Sequence, residues 1–180
     1  MKINKNRWIY ESLTAIILCF LNGIVFAETR IAILEFELKD LTMIPRTPAE
    51  ITRTLSIKPL LEAELKKLGY VIIDIAPKYQ KFANSGVGYL FDHHDVAANL
   101  GKQFDADYIF VGRLHKPSFL FAYLMGHLIR VRDAKLIGNY VSEAKGPSRN
   151  ITIKAVESLA VKIDQALDHR YSRPLSSKQR

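Results

Sequence analysis

Cysteine is almost absent from this 180-residue chain, and its single example, Cys19, lies in an apolar stretch near the amino terminus. One thiol can form neither an intramolecular disulfide nor a multi-thiolate metal site, so a core must stabilise the fold. An unbroken apolar run of the roughly 20 residues needed to span a bilayer is also missing. The longest candidate, 13–26 (LTAIILCFLNGIVF), is interrupted by Thr14, Asn22 and Gly23. No serine sits in a nucleophile elbow, and no acids are paired at a defined spacing. Ser85-Gly86-Val87-Gly88 lacks the Lys-Ser/Thr that a phosphate-binding Walker loop requires, and reads as a loop. No internal repeat and no linker rich in Gly, Pro or Ser divides the chain.

The amino terminus, by contrast, is strongly patterned. Lys2, Lys5 and Arg7 precede the apolar run, which closes on Val25-Phe26-Ala27 with small residues where a signal peptidase reads. Residues 1–27 are therefore expected to be a cleavable signal peptide, with an uncleaved anchor as the alternative, and the expected location is the periplasm. Lipidation at Cys19 is not expected, because Leu18 precedes it and apolar residues follow. Cleavage after Ala27 removes three basic residues and one acidic one from a formal +8, leaving +6 on 153 residues. That length suits one domain, expected over 28–169, followed by a basic flexible tail over 170–180 (RYSRPLSSKQR). Membrane contact is expected only through an uncleaved signal or this tail. Nucleic acid is not an expected partner, since the basic residues do not interleave with exposed aromatics.

Hydrophobic periodicity then gives an order of elements. RIAILEFEL (30–38) alternates as a strand, with Ile31, Ile33 and Glu35 on one face and Ala32, Leu34 and Phe36 on the other. Thr47-Pro48-Ala49-Glu50 reads as an N-cap, a first-turn proline and a capping-box glutamate. Ile51, Leu55, Leu61, Leu65 and Leu68 mark the apolar face of the helix that follows, Gly69 its stop, and Pro59 a kink or break. YVIIDI (70–75) is a second strand, 76–91 a long loop, and Asp92 the cap of a helix over 93–104, buried through Val96, Ala97, Leu100 and Phe104. DYIFVGRLHK (107–116), FLFAYLMGHLIRVR (119–132) and KLIGNYVSEA (135–144) read as strands, the last two a hairpin. Ile151, Ala155, Val156, Leu159, Ile163 and Leu167 face the core from a final helix. The expected fold is α/β: a mixed five-stranded sheet in the order β-α-β-α-β-β-β-α, with helices packed on it.

Together RIAILEFEL, the helix ending LKKLGY, VIIDI, LGKQFDADYIFVGRLHKPSFL and IRVRDAKLIG resemble a family of exported bacterial proteins of unknown function. That family is similar in fold to the amino-terminal domain of TolB and, more distantly, to periplasmic domains of curli-secretion and peptidoglycan-synthase-activating lipoproteins. The resemblance covers about 30–168. Its most specific part is Asp107-Tyr108, Gly112, Lys116, Ser118 and Leu120, then Arg132-Asp133. It implies a non-enzymatic binding or scaffolding domain whose partner is another envelope protein, with Lys116, Ser118 and Arg132 as partner-contact residues. It also implies an accessory role beside periplasmic quinoprotein alcohol-oxidation systems. The chain departs from the pattern in two places: FDHHD (91–95) stands where relatives carry cysteines, and GPSRNITIK (146–154) lacks their polar motif.

Read from the residues alone, Lys116 and Ser118 flank Pro117 in a turn, where a serine bonds local backbone. Asp92-His93-His94-Asp95 carries the densest set of metal-ligand types, but side chains at i and i+1 diverge on a helix. No metal and no cofactor is therefore expected. A small-ligand or metal-binding accessory protein using His93 and His94 is the alternative. His115 and His127, on neighbouring strands, are a second pair that could meet. In 119–132 both faces are apolar, which suits a central buried strand, or at an edge a partner surface.

Overall fold

A computed structural model describes residues 28–42, 47–146 and 148–167; the expected signal segment 1–27 and tail 170–180 lie outside the described residues. The elements run β1 (Arg30–Ile33), β2 (Glu37–Asp40), α1 (Pro48–Lys67), β3 (Val71–Ile73), α2 (Pro77–Ala83), α3 (Tyr89–Asp92) and α4 (His94–Gln103). They continue with β4 (Tyr108–Lys116), β5 (Tyr123–Arg130), β6 (Lys135–Glu143) and α5 (Arg149–Ala166). The sheet is ordered β3-β1-β4-β5-β6, with β2 also beside β4. β1 is parallel to β3 and β4, β2 is parallel to β4, and β4, β5 and β6 are antiparallel. The α/β class and mixed sheet are as expected, with six strands in place of five.

The sixth strand comes from the first. Ile33 pairs with Phe110 and Glu37 with Arg113, so the first strand uses four steps where β4 uses three. The extra residue flips the alternation, as a bulge does. Phe36, expected beside Ala32 and Leu34, instead joins Ile31 and Ile33 in the opposite core. Its ring lies over Gly112, where an added Cβ would fall 2.4 Å from Phe36 Cε1. Directly across from Gly112, Gly126 makes the same room for Phe110.

Two cores result. On one face of the sheet α1 and α5 pack Ile57, Leu61, Leu65, Val156, Leu159 and Ile163 against Ile31, Phe110 and Leu124. Full burial of each such aliphatic side chain contributes about 1.5–3 kcal/mol. On the other, α3 and α4 bring Leu90, Phe91, Ala97 and Leu100 onto Ile109, Val111 and Ile129.

Helix α1 starts as expected, Thr47 accepting from the Glu50 amide with Pro48 following. It then runs unbroken through Pro59. Pro59 and Leu55 are both exposed, so the carbonyl that loses its donor faces solvent. Ile51 and Leu55 are exposed as well, because the buried stripe is Glu50, Arg53, Thr54, Ile57, Lys58, Leu61 and Leu65. Glu50, Arg53 and Lys58 occupy that stripe because each has a partner across it, Thr54 donates to the Glu50 carbonyl of its own helix, and the Glu50 carboxylate turns inward instead of closing a capping box. The stretch 76–91 contains α2 and α3, elements too short to show a helical period. Asp92 ends α3 and does not cap α4, whose N-cap position is His93 with no side-chain bond. Strand β5 begins at Tyr123, leaving 117–122 as a loop. Among the described residues, no helix is long and apolar enough to cross a membrane.

Candidate functional site

Lys116 ends β4 on the α1 face, and its surroundings are acidic. Its Nζ lies 3.1 Å from Glu50 Oε1 and 3.6 Å from Asp40 Oδ2, all three side chains being largely buried. Thr42 donates to Asp40 Oδ1 through both its amide (2.9 Å) and its hydroxyl (2.7 Å). Burial pulls the Asp40 carboxyl upward, but the Thr42 bonds and the Lys116 ammonium outweigh it and hold the group below its usual 3.8. Arg53 extends the cluster, donating to Thr152 Oγ1 (2.9 Å) and the Ala144 carbonyl (2.8 Å). The end of the sheet is thus clamped to α1 and to the start of α5. Lys116, expected as a partner contact, is engaged inside the fold.

Beyond this clamp the chain leaves the sheet through Pro117. The Ser118 hydroxyl, expected to bond local backbone, is buried with no protein partner. Next come three consecutive apolar side chains in solvent: Phe119 is 62%, Leu120 74% and Phe121 41% exposed. The apolar pattern of 119–132 runs a strand through them, central and buried or at an edge with a face for a partner, whereas the strand begins only at Tyr123. Lys145 stands 5.5 Å from the Phe121 ring centre.

Arg113, three residues before Lys116, points to the other face. Its guanidinium lies 3.5 Å from the centre of the Phe91 ring, whose own centre is 3.8 Å from that of His127. Arg113 Nη2 is 3.8 Å from Asp92 Oδ1, while its buried Nε and Nη2 have no hydrogen-bond acceptor. His127 Nδ1 lies 3.0 Å from the Phe91 carbonyl and 2.9 Å from His94 Nε2. Burial lowers the pKa of His127, His94 and Arg113 adding to the effect, while the Phe91 carbonyl and Asp92 oppose it.

The histidine that meets His127 is therefore His94 and not His115, which pairs across the strands with Tyr123. His93 turns away, stacked on Tyr89 at 4.0 Å with Nδ1 2.9 Å from the Tyr89 carbonyl, so the two neighbours diverge, His93 from the joint between α3 and α4 and His94 from the start of α4. Among the described residues, no three His, Cys, Asp or Glu side chains converge to hold a metal ion. The meeting of His94 and His127 escaped sequence reasoning because it depends on which face of the sheet α4 covers.

Arg132 lies at the opposite end of the β4–β5 pair, where Tyr108 pairs with Arg130. It is exposed in the hairpin turn and lines an open cleft of about 530 Å³ with Arg30, Lys102, Asp105 and Asp107. The three residues expected to contact a partner therefore do not form one surface.

Comparison with known proteins places the chain. Residues 29–163 match the model of DUF3280, described as a protein of unknown function (DUF2380). The chain belongs to the DUF3280 family. Among solved structures, this DUF3280 chain is similar to TolB from Acinetobacter baumannii, with TM-score 0.51 and 15% identity over 79% of this chain and 29% of that one. It is similar to the hypothetical protein CT253 from Chlamydia trachomatis, with TM-score 0.50 and 10% identity over 79% of this chain and 100% of that one. PelC from Paraburkholderia phytofirmans aligns with TM-score 0.49 and 15% identity over 82% and 90% of the two chains. No curated protein matches. At these identities the likeness is one of fold, and the DUF3280 chain spans only 29% of the TolB chain it matches. The expected likeness to a TolB fold is borne out.

Proposed function

We propose that this DUF3280 protein is an exported, non-enzymatic accessory domain that binds another cell-envelope protein through the 116–121 end of its sheet. One observation carries the reading. Phe119, Leu120 and Phe121 stand in solvent on a loop whose root is clamped by Lys116, Asp40 and Glu50. Large exposed apolar groups on a rigid base are what a partner desolvates, and a preformed base lowers the ordering cost of association. Ser118 belongs to the loop, with its hydroxyl buried, and Lys116 holds the loop's root, while Arg132 stands outside this surface. Export rests on the charged and apolar pattern of residues 1–27 and cleavage after Ala27.

A photo-crosslinking residue at position 120 in intact cells, with another at the exposed Glu157 on α5 as control, tests the surface. One envelope protein crosslinked from 120, missing from 157 and lost in Phe119→Ser/Phe121→Ser, is the expected result. Identical products from both positions defeat the reading. The intact mass of the exported protein checks the other half: a chain beginning at Glu28 is expected, and one retaining residues 1–27 would make the segment an anchor.

A further inference from the structure

We propose that the His94–His127 contact is an acid-sensitive latch holding the α3–α4 unit on the sheet. The argument starts from one hydrogen. His127 Nδ1 lies within hydrogen-bond distance of both the Phe91 carbonyl (3.0 Å) and His94 Nε2 (2.9 Å). A carbonyl only accepts, so Nδ1 carries the hydrogen and shares it between the two. His94 Nε2 must then be the lone-pair nitrogen of a neutral ring. A proton added there sets N–H against N–H at 2.9 Å, with no acceptor between them.

The surroundings give that charge no compensation. From α4 the His94 ring faces that of His127, and from β6 its cross-strand neighbour is the neutral Asn139. β4 contributes Arg113, a permanent cation on the far side of Phe91. α3 contributes Asp92, an acid whose side chain is 69% exposed and screened by solvent. Burial lowers the His127 pKa as well. A histidine whose folded pKa lies below its usual value of about 6.5 stabilises the fold fully above that value and loses the contribution as pH falls below it.

The unit is built to separate. α3 spans four residues, and His93 between the two helices has φ −114° and ψ 83°, outside the helical range. Left-handed Gly88 (φ 86°) precedes α3. The layered rings of Phe91 and His127 stand across the joint, so loss of the histidine contact loosens Phe91 from its neighbours and opens the second core at one edge.

Hydrogen exchange on the mature domain between pH 7.5 and 5.5, corrected for intrinsic rates, tests the latch. The amides of Asp92, His93 and Ala97, bonded to the carbonyls of Gly88, Tyr89 and His93, report on the unit, and that of Ala144, bonded to Ala122, reports on the sheet. The opening constant of the first three is expected to rise by up to about tenfold per pH unit below about 6.5, with Ala144 unchanged. His94→Gln, which cannot take up a proton, should reduce that response. His93→Gln and His115→Gln should keep it, the latter removing the other histidine with a lowered pKa. If His94→Gln does not fold, His127→Gln makes the same prediction, its amide still reaching the Phe91 carbonyl. An acid response of undiminished size in either His94→Gln or His127→Gln, or wild-type amides indifferent to pH, overturns the latch.

Discussion

Arg113 and Lys116 are two cations on one strand, three residues apart, and they are accommodated in opposite ways. An odd spacing sends them to opposite faces of the sheet. Lys116 meets two buried carboxylates, one from β2 and one from α1. Arg113 meets an aromatic ring and an acid that is mostly in water. The difference follows from the cations themselves. An ammonium is compact and strongly hydrated, so burial demands opposite charge and acceptors, whereas a flat, weakly hydrated guanidinium can stack on a ring. One face of β4 is therefore fixed here by charge, and the other rests on a ring and a solvated acid.

Lys116→Met breaks the comparison at its stronger side and should have the largest effect. It leaves Asp40 and Glu50 without the cation they share, Glu50 keeping Arg53 at 3.9 Å, a loss of about 3 kcal/mol by analogy with other broken buried pairs. For a domain of this size that lowers the melting temperature by about 6–12 °C. The pH dependence should carry a signature. Without the ammonium, the Asp40 carboxyl loses one of the causes that hold it below its usual value, and with it part of the stability that the lowered pKa supplies above that value. The deficit should then shrink as pH falls toward 4 and grow again as it rises, which melting curves across that range would show. A deficit independent of pH would mean that lost packing, not charge, is responsible.

Arg113→Met sharpens the comparison from the weaker side. Met fills similar space against Phe91, Asp92 keeps its water, and the two unbonded guanidinium nitrogens are removed. What is lost is the cation–ring attraction, about 1 kcal/mol at a site of this kind. Urea denaturation of the two variants side by side should therefore separate them by about 2 kcal/mol, the difference of the two estimates. Equal costs would show that burial alone, whatever the partner, sets the penalty.

The same contrast explains what the sequence revealed. Element order and fold class were legible because long periodic segments such as 151–167 and 107–116 declare their type. Phe36 was placed on the wrong face because the extra residue between Ile33 and Glu37 leaves no mark in the alternation. Lys116 stood out as a polar residue between apolar runs, but its acids come from positions 40 and 50, which only tertiary folding brings together. Arg113 carries no mark in the sequence and His127 suggests the wrong partner, His115, for the same reason: their partners reside on α3 and α4, and α3 is too short to show a period. The exposed loop was hidden by its own composition, since Phe119-Leu120-Phe121 continues the apolar pattern of β5 into solvent.

The smallest effect concerns Ser118, where the logic of partners applies to a neutral group. Its hydroxyl is buried and accepts or donates nothing within the protein, unlike Thr152 or Thr54, whose hydroxyls are bonded. Ser118→Ala should then leave stability within about 0.5 kcal/mol of wild type, or raise it slightly, because no bond is broken and a desolvated polar group is removed. If the 116–121 end is the partner surface, crosslinking from position 120 should nevertheless fall in the same variant. A loss of stability of about 1 kcal/mol or more would instead place the hydroxyl in a hydrogen bond that holds the loop, and Ser118 would join Lys116 as part of its support.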